Sequence, residues 1–514
     1  MAHAVLGWQR ALGCLALSVA AACSGGSTGG AGGGGGADAG DAALGGAAGG
    51  SGTGGAGATG GAAGSGAASG AGGGASGGGA GTGGAGGGSG TGGGSASGGT
   101  GGGGSGGGGS GGGGTGGGGT GGGAGALAHC EPLPAPPVDA VIVDTVQGLR
   151  DAIQAATPGT TIVIEDGTYA ISSTIVISNK AQLTIRGRPG HAEQVILQGP
   201  GAAGVSTSCS PEQEGFQLFD TTDLVISDLT LIDHRCHAIQ VNSGNTGLRV
   251  HRTRLLDSGQ QVFKVNPGSP YNDDGVIECS LVGMTTSIQP PGNTYSQAID
   301  IHAGARWLVR DNVVENMVTS TGALPVSAAI ACWNGCFDTV VERNVLVNCA
   351  MGITLGPNFA AGPPASGRHG NYHQVGGVIR NNFVGPAAVQ DFGIAVGRAD
   401  GVFVYHNTVW HPGYAGAVEV FPLAGGAVTV MNNLVNALPV RDRTSGDGSI
   451  FASSNGQASA SWFVDAAAGD LHLTAAATGA IDEAGTLASP GVWDDVDGEP
   501  RPGGGDDDLG ADER

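Results

Sequence analysis

The chain has 514 residues, a formal net charge of −22 and only 4% aromatic residues. Most of its 109 glycines precede residue 126, so the foldable part begins near Ala128 and suffices for one large domain or two ordinary ones. The acidic balance excludes nucleic acid as a partner, because phosphate binding requires a basic surface.

Residues 1–23 have the pattern of an export signal. Arg10 supplies a positive charge, and residues 11–22 form an apolar stretch that is too short to span a bilayer. The end of this segment resembles a bacterial lipobox with Cys23 as the lipidated residue, although Ala20 stands where that pattern prefers a larger aliphatic residue. By the same resemblance, Ser24 implies sorting to the outer membrane. We expect a monomer that is lipid-anchored at the outer membrane or cell surface and meets the membrane only through this anchor; the alternative is ordinary secretion.

Residues 24–127 consist almost entirely of Gly, Ala, Ser and Thr. Leu44 and Leu127 are the only large apolar side chains of this stretch, too few to offset the entropy of ordering, so it is predicted to be a disordered linker. A random coil of about 100 such residues spans roughly 50–60 Å. The linker would therefore hold a domain clear of a membrane surface.

Seven cysteines follow Cys23: Cys130, Cys209, Cys236, Cys279, Cys332, Cys336 and Cys349. An odd number in an oxidising compartment leaves at least one thiol unpaired within the chain. We expect Cys209 and Cys236 to form a disulfide across a loop. Cys332 and Cys336 invite a zinc interpretation, but no second pair with metal spacing follows.

The foldable part opens with a predicted capped helix. Thr145 is expected to cap a short helix in which Val146, Leu149 and Ile153 share one face. Pro158 and the glycine after it end the helix, and a first strand follows from residue 161. A helix at this position would cover the open end of a stack of strands.

A short alternating segment then recurs along the chain. Its first inward apolar residues are Phe216, Ile239, Phe263, Ile299, Ile330, Ile353, Ile394 and Val418. Four of the seven spacings are 23 or 24 residues, close to one coil of a parallel β-solenoid, and the longer ones contain an inserted loop. A second alternating segment follows each copy. The pattern predicts an all-β, single-stranded parallel β-helix of roughly eight to ten coils and three sheets between about residues 160 and 440.

Asparagines recur at one point of the repeat. They are Asn312, Asn344, Asn382, Asn407 and Asn433. Stacked asparagines at a tight bend can hydrogen-bond along the column and accept left-handed backbone angles. We therefore predict a structural asparagine ladder rather than a substrate or metal site.

Two stretches resemble a known family. The run TVQGLRDAIQAATPGTTIVIEDGTYAISSTIVIS is similar to the opening of pectin-lyase-like right-handed β-helix proteins, including alginate-lyase-like and chondroitinase-B-like polysaccharide lyases. The ending DVDGEPRPGGGDDDLGADE is similar to the C-terminal cap of many β-helix carbohydrate proteins, whereas its charge alone is typical of a solvated tail. The resemblance covers residues 138–513 and implies a right-handed β-helix domain over residues 128–514. It leaves activity open, because lyases, hydrolases, epimerases and adhesins share this scaffold.

One outward face of the predicted helix gathers polar and ionisable side chains in neighbouring coils. We predict catalytic roles for Lys264, Asp300 and His302 and substrate-binding roles for His237, Gln240, Asn242, Asn266 and Trp333. The loops 267–274 and 285–296 would wall such a cleft. An inserted loop carries Arg368, His369 and His373. These residues are either ordinary loop surface or part of a substrate-binding subsite.

A polysaccharide lyase needs a base for the proton α to a uronate carboxyl, positive charge on that carboxylate, and a proton donor. Lys264 or His302 could be the base, and Asp300 could hold a cation such as Ca²⁺ or orient His302. Trp333 could stack on a sugar. The patch matches neither the Lys–Arg pair and calcium cluster of chondroitinase-B-like enzymes nor the paired aspartates of polygalacturonase-type hydrolases.

Two functions remain open at this point. One is a lyase for an acidic, uronic-acid polysaccharide, and the other is a non-catalytic carbohydrate-binding or adhesive surface protein. In the second case the patch consists of solvated strand residues with ordinary cross-coil hydrogen bonds. Because Lys264 and His302 project outward in either case, we expect their truncation to cost little stability.

Overall fold

The computed structural model describes residues 130–202, 209, 213–288, 296–359, 361–487, 491–502 and 507–514. The predicted export signal with Cys23, the predicted linker 24–127 and part of the predicted loop 285–296 lie outside these residues. Within the described ranges, no helix is long and apolar enough to cross a bilayer.

The helix predicted near the start is present as α1 (Val146–Ala155). The Thr145 hydroxyl accepts a hydrogen bond from the Gly148 N–H at 3.0 Å, which satisfies one of the unpaired amides of the first turn. Leu149 and Ile153 are buried against the first coils. The amphipathic pattern and the capping residue therefore predicted this helix correctly.

Almost all strands belong to three long parallel sheets, which the chain visits in turn. Sheet A contains β1 (Val141–Val143), β2 (Thr161–Ile164), β5 (Thr184–Arg186), β8 (Val225–Ser227), β11 (Arg249–His251), β14 (Val276–Glu278), β17 (Leu308–Arg310), β21 (Val340–Glu342), β25 (Val378–Arg380), β29 (Val402–Tyr405), β32 (Ala427–Met431) and β35 (Ser449–Ser453). Sheet B contains β3 (Gly167–Ala170), β6 (Val195–Gln198), β9 (Thr230–Ile232), β12 (Arg254–Leu256), β15 (Leu281–Gly283), β18 (Val313–Glu315), β22 (Val345–Val347), β26 (Phe383–Val384), β30 (Thr408–Val409), β33 (Leu434–Val435) and β36 (Gly456–Gln457). Sheet C contains β4 (Ile175–Ser178), β7 (Phe216–Phe219), β10 (Ile239–Val241), β13 (Phe263–Val265), β16 (Ile299–His302), β19 (Ile330–Trp333), β23 (Ile353–Leu355), β27 (Ile394–Val396), β31 (Gly416–Val420) and β34 (Leu438–Asp442).

Two small sheets complete the described strands. A short parallel sheet in the turns between sheets C and A contains β20 (Cys336–Phe337), β24 (Gln374–Val375) and β28 (Ala399–Asp400). An antiparallel pair near the C-terminus contains β37 (Phe463–Asp465) and β38 (Asp470–Leu473), preceded by the 3-10 turn Ala460–Trp462.

The predicted right-handed parallel β-helix is confirmed by the stacking of its core. Ile239 pairs in register with Phe263, which pairs with Ile299, and all three are fully buried in one continuous apolar core. Successive side chains point to opposite faces of a strand, so each coil contributes apolar residues inward and polar residues outward. The sheets have 12, 11 and 10 strands, somewhat more than the expected coil number, because coils at both ends lack the conspicuous repeat.

The five predicted ladder asparagines form a buried column between sheets A and B. Each Nδ2 donates to the Oδ1 of the next asparagine at 2.9–3.0 Å, and the column continues into Asn455, which sequence analysis missed. The left-handed backbone lies one residue earlier than expected, at Asp311, Arg343, Asn381, His406 and Asn432. The ladder side chains therefore stabilise a bend that their neighbours make.

Two disulfides join cysteines across coils, Cys130–Cys279 and Cys209–Cys236. The second is the pair expected from sequence. Cys332, Cys336 and Cys349 are buried thiols. Burial raises the pKa of Cys336 and of Cys349 to about 12, so both are unreactive thiols at neutral pH.

The acidic C-terminal segment packs on the β-helix. Leu471 and Leu509 belong to an apolar cluster with Phe383 and Leu434 on the outer face of sheet B. Arg501 is buried and forms an ion pair with Glu513 at 2.7 Å. The interpretation of residues 494–513 as a solvated tail is therefore wrong for their described part, because apolar residues spaced among the acids anchor it.

Candidate functional site

The outward residues of sheet C line up in two columns, as strand alternation predicts. In the first column Gln240 pairs with Lys264, and Lys264 pairs with Asp300. In the second, His302 pairs with Trp333. Ile299 and Ile301 alternate with Asp300 and His302 in β16 and fix the direction of these polar side chains by packing into the core.

Lys264, Asp300 and His302 meet at one point, which we call the sheet C cluster. Lys264 Nζ donates to Asp300 Oδ2 at 2.7 Å and lies 3.2 Å from His302 Nε2. His302 Nε2 is itself 3.0 Å from the same carboxylate oxygen. Burial on its own raises the pKa of Asp300, but His302 and Lys264 together outweigh it and hold that pKa well below its usual range. Asp300 is therefore ionised at neutral pH.

Trp333 covers one side of this cluster. Its indole Nε1 donates to Asp300 Oδ1 at 3.1 Å, and its ring meets the His302 imidazole edge-on with centroids 4.6 Å apart. His373 stacks on the indole at 5.7 Å. The predicted sugar-stacking residue thus has one face covered by an imidazole, and its observed contacts position Asp300 and His302.

The three predicted amides form a network on the coil of Lys264 and the coil before it. Gln240 Oε1 accepts from Gln217 at 2.7 Å and from Asn242 at 3.3 Å, and Asn266 donates to Asn242 Oδ1 at 2.9 Å. Gln217 was not among the predicted site residues. Asn242 and Asn266 are half-buried, so this network can offer amide groups to a hydroxyl-rich ligand.

His237 lies beneath the same patch and is buried. Its Nδ1 donates to the Gln261 carbonyl at 2.7 Å, which leaves the lone pair of the neutral ring on Nε2. Burial lowers the pKa of His237 to about 4, although the bond to Gln261 opposes the shift. The ring is therefore neutral at pH 7, and the structure gives it a packing role beside Lys264 rather than a surface subsite.

The cluster is less exposed than its outward direction suggested. Asp300 is 0%, His302 2% and Lys264 8% exposed. Removing one partner from such a buried set leaves an uncompensated charge, which costs about 3–5 kcal/mol. The burial contradicts the premise of solvent exposure on which the low cost of truncating Lys264 or His302 was expected, and we now expect a larger cost.

The inserted loop that ends at His373 helps to bury the cluster, because the His373 ring stacks on Trp333. Arg368 forms two hydrogen bonds with Asp273, at 2.6 and 2.7 Å, and its guanidinium lies 4.2 Å from the ring centre of Tyr271. Burial lowers the pKa of His373 to about 4, so its ring is neutral. Sequence analysis placed these residues in a loop but could not join them to the cluster, because the insertion breaks the repeat.

The contacts of Asp300 bear on its two predicted roles, which are to hold a cation and to orient His302. Both carboxylate oxygens accept from protein donors, Oδ2 from Lys264 and Oδ1 from Trp333, and His302 Nε2 lies 3.0 Å from Oδ2. A cation at Asp300 would have to displace Lys264 and His302. The geometry therefore favours the orienting role, in which Asp300 positions His302 and stabilises positive charge on it.

Among the described residues, one other group has the composition of a metal site. His472, Asp497 and Asp512, in the C-terminal segment, place ligand atoms within 4.8 Å of one another. His472 Nε2 lies 3.1 Å from Asp497 Oδ2, and its Nδ1 lies 2.6 Å from Asp470 Oδ1. Burial opposes the change, but these carboxylates raise the pKa of His472 to about 9, so ion pairing accounts for the group.

Comparison with known proteins found solved structures only. No family model matches the chain, and no curated protein matches it. An alginate lyase from Paenibacillus sp. is 14% identical with a TM-score of 0.40, covering 62% of this chain and 99% of that one. The Agl-KA catalytic domain is 13% identical with a TM-score of 0.40, covering 63% and 67%. An endopolygalacturonase from Stereum purpureum is 11% identical with a TM-score of 0.38, covering 62% and 99%. At these values the comparisons assign neither a family nor an activity.

Proposed function

We propose that the chain is a polysaccharide lyase that cleaves an acidic, uronic-acid polysaccharide by β-elimination at the sheet C cluster. The observation that carries the proposal is the meeting of Lys264 Nζ, His302 Nε2 and an ionised Asp300 carboxylate within 3.2 Å. Perturbed ionisable groups gathered in neighbouring coils are typical of functional sites.

The three side chains can take separate roles in the elimination. Lys264, the most exposed of them, would bind the uronate carboxylate and make the proton on the adjacent carbon more acidic. His302 Nε2, in the tautomer that carries its lone pair there, would remove that proton, and the C–H electron pair would form the C=C bond. The bond to the glycosidic oxygen on the next carbon would break, and that oxygen would take a proton from water as it leaves. The resulting imidazolium would donate to Asp300 Oδ2, which already lies 3.0 Å away. Asp300 would thus act as a positioning residue.

The test is the ultraviolet absorbance of the unsaturated uronate ends that a lyase creates. Wild type and His302→Gln would be compared on alginate, pectate and glycosaminoglycans, each with Ca²⁺ or with a chelator. The amide of glutamine can retain a hydrogen bond near Nε2 but cannot take a proton, so the variant is expected to fold and to lose turnover. A role for Ca²⁺ would appear as chelator-sensitive turnover.

A second function is supported by the burial of the cluster. Because Asp300 is fully buried and both of its oxygens accept from protein donors, the same contacts suit a structural core beneath a non-catalytic carbohydrate-binding or adhesive surface. This alternative predicts that wild type binds an acidic polysaccharide without creating unsaturated ends. It also predicts that His302→Gln leaves binding unchanged.

The cellular setting belongs to the same proposal. We infer an outer-membrane or cell-surface protein that is lipid-anchored through Cys23 and acts as a monomer. The supporting features are the apolar segment before Cys23 and the Gly-rich stretch 24–127 after it. Metabolic labelling with a fatty-acid analogue, compared between wild type and Cys23→Ser, tests the anchor.

A further inference from the structure

Two half-exposed arginines lie near the C-terminal end of the face that carries the sheet C cluster. Arg441 follows Glu419 in register in the first outward column, and Glu419 follows Ala395. The column between Asp300 and Ala395 contains Ala331 and Thr354. Arg441 therefore lies five coil steps from Asp300, which is roughly 24 Å at about 4.8 Å per step.

A buried carboxylate fixes the two guanidinium groups. Glu419 is fully buried; its Oε1 accepts from Arg441 at 3.0 Å and from the Tyr414 hydroxyl at 2.8 Å, and its Oε2 accepts from Arg443 at 2.5 Å. The side chains of Arg441 and Arg443 are 39% and 40% exposed. Asp391 lies close enough to interact with Arg443 and Tyr414 as a second carboxylate, and each guanidinium still has a large part of its surface in solvent.

Aromatic rings flank both guanidinium groups and help to fix their planes. The Arg443 guanidinium lies 5.1 Å from the ring centre of Phe421, and that of Arg441 lies 5.9 Å from the ring centre of Tyr414. Planar, preorganised guanidinium groups bind carboxylates with little loss of side-chain entropy. Asp442 lies between the two arginines in sequence but points to the opposite face of the strand, since neighbouring residues alternate.

We propose that Arg441 and Arg443 form a second binding position for a carboxylate of the acidic polysaccharide, remote from the sheet C cluster. This inference rests on the proposed function for the identity of the ligand. A sugar unit advances a chain by roughly one coil spacing, so only oligomers of more than about five units can occupy both positions. Arg441 and Arg443 would then add affinity for long chains and none for short ones.

The chain supplies a matched control on another face. Arg249 and Arg310 in sheet A are 40% and 36% exposed and flank the buried Glu278, as Arg441 and Arg443 flank Glu419. In each set a single substitution leaves the glutamate one arginine and one further partner, which is His251 for Glu278 and Tyr414 for Glu419. Arg443→Gln and Arg249→Gln therefore impose similar costs on folding and differ in the face that they change.

The experiment measures binding of oligogalacturonates by calorimetry in a His302→Gln background, so that turnover does not interfere. Arg443→Gln is expected to weaken binding of oligomers of about ten units by about tenfold, the effect of one charge-assisted hydrogen bond. It should leave oligomers of about two units unchanged, and Arg249→Gln should leave both unchanged. The loss should shrink as salt is raised.

If wild type creates unsaturated ends but Arg443→Gln and Arg249→Gln bind the long oligomer equally well, the second binding position is overturned and the lyase proposal stands. If wild type creates no unsaturated ends but long oligomers bind in an Arg443-dependent way, the second binding position is supported and the lyase proposal is overturned. Absence of binding to any acidic oligomer would overturn both.

Discussion

Replacing Lys264 by methionine tests whether the sheet C cluster is a buried ionic group. The substitution keeps most of the apolar stem but removes the ammonium that donates to Asp300 at 2.7 Å. Asp300 is fully buried and would keep only His302 and Trp333 as donors from this cluster. Breaking a buried pair in this way costs about 3–5 kcal/mol. Asp300→Asn should cost a similar amount, because it leaves Lys264 charged without its carboxylate.

The double variant separates charge pairing from simple loss of contacts. With both charges removed, the remaining amide can still accept from Trp333, so the double variant should be more stable than the sum of the single changes implies. We expect a coupling free energy of about 2–3 kcal/mol. Urea unfolding followed by circular dichroism, with all four proteins under one buffer, measures it. Changes below about 0.5 kcal/mol in both single variants, the usual range for surface residues, would show that the cluster is solvated and refute this reasoning.

Three further predictions concern stability. Burial lowers the pKa of His237 to about 4 in the folded chain against about 6.5 unfolded, so the unfolded chain binds more protons between these values. His237 alone should therefore lower the free energy of unfolding by about 3 kcal/mol from pH 6.5 to 4, in addition to the loss from His373, and His237→Gln should remove the His237 share in urea titrations. Asn382→Ala should lower the free energy of unfolding by about 3 kcal/mol, because it leaves buried backbone groups unpaired; the half-buried Asn455→Ala should cost clearly less, and equal losses would contradict the ladder account. Phe263→Ala should cost about 3–5 kcal/mol, and a smaller shift in the unfolding midpoint would mean that the core is not stacked as described.

The fold was predictable because its determinants are local and periodic. Strand alternation around Ile239, Phe263 and Ile299 repeats at nearly constant spacing, and only a stack of coils buries all three residues. The ladder side chains were equally visible. Their left-handed neighbours were harder to predict: Asp311, Asn381, His406 and Asn432 are of types that favour this conformation, but Arg343 is not, and the ladder asparagines beside them are equally suited to it.

The candidate site was predictable only in part. Alternation placed Lys264, Asp300 and His302 on one outward face, but it could not show that they are buried. The cover depends on contacts between distant parts of the chain, such as the His373 ring on Trp333, 40 positions away. Such contacts come from inserted loops that follow no period. For the acidic C-terminal segment, the resemblance to a cap implied that it belongs to the folded domain, whereas its charge alone indicated a solvated tail.

The mass of the products formed from a purified polyuronate tests the lyase proposal most directly. β-Elimination breaks the glycosidic bond without adding water, so the product masses sum to that of the substrate chain and each cut creates one unsaturated end. We predict this result for wild type and its loss in His302→Gln. Products that contain one added water per cut would mean hydrolysis, and an intact polymer that remains bound would establish the non-catalytic alternative; either result would contradict the proposed chemistry at Lys264, Asp300 and His302.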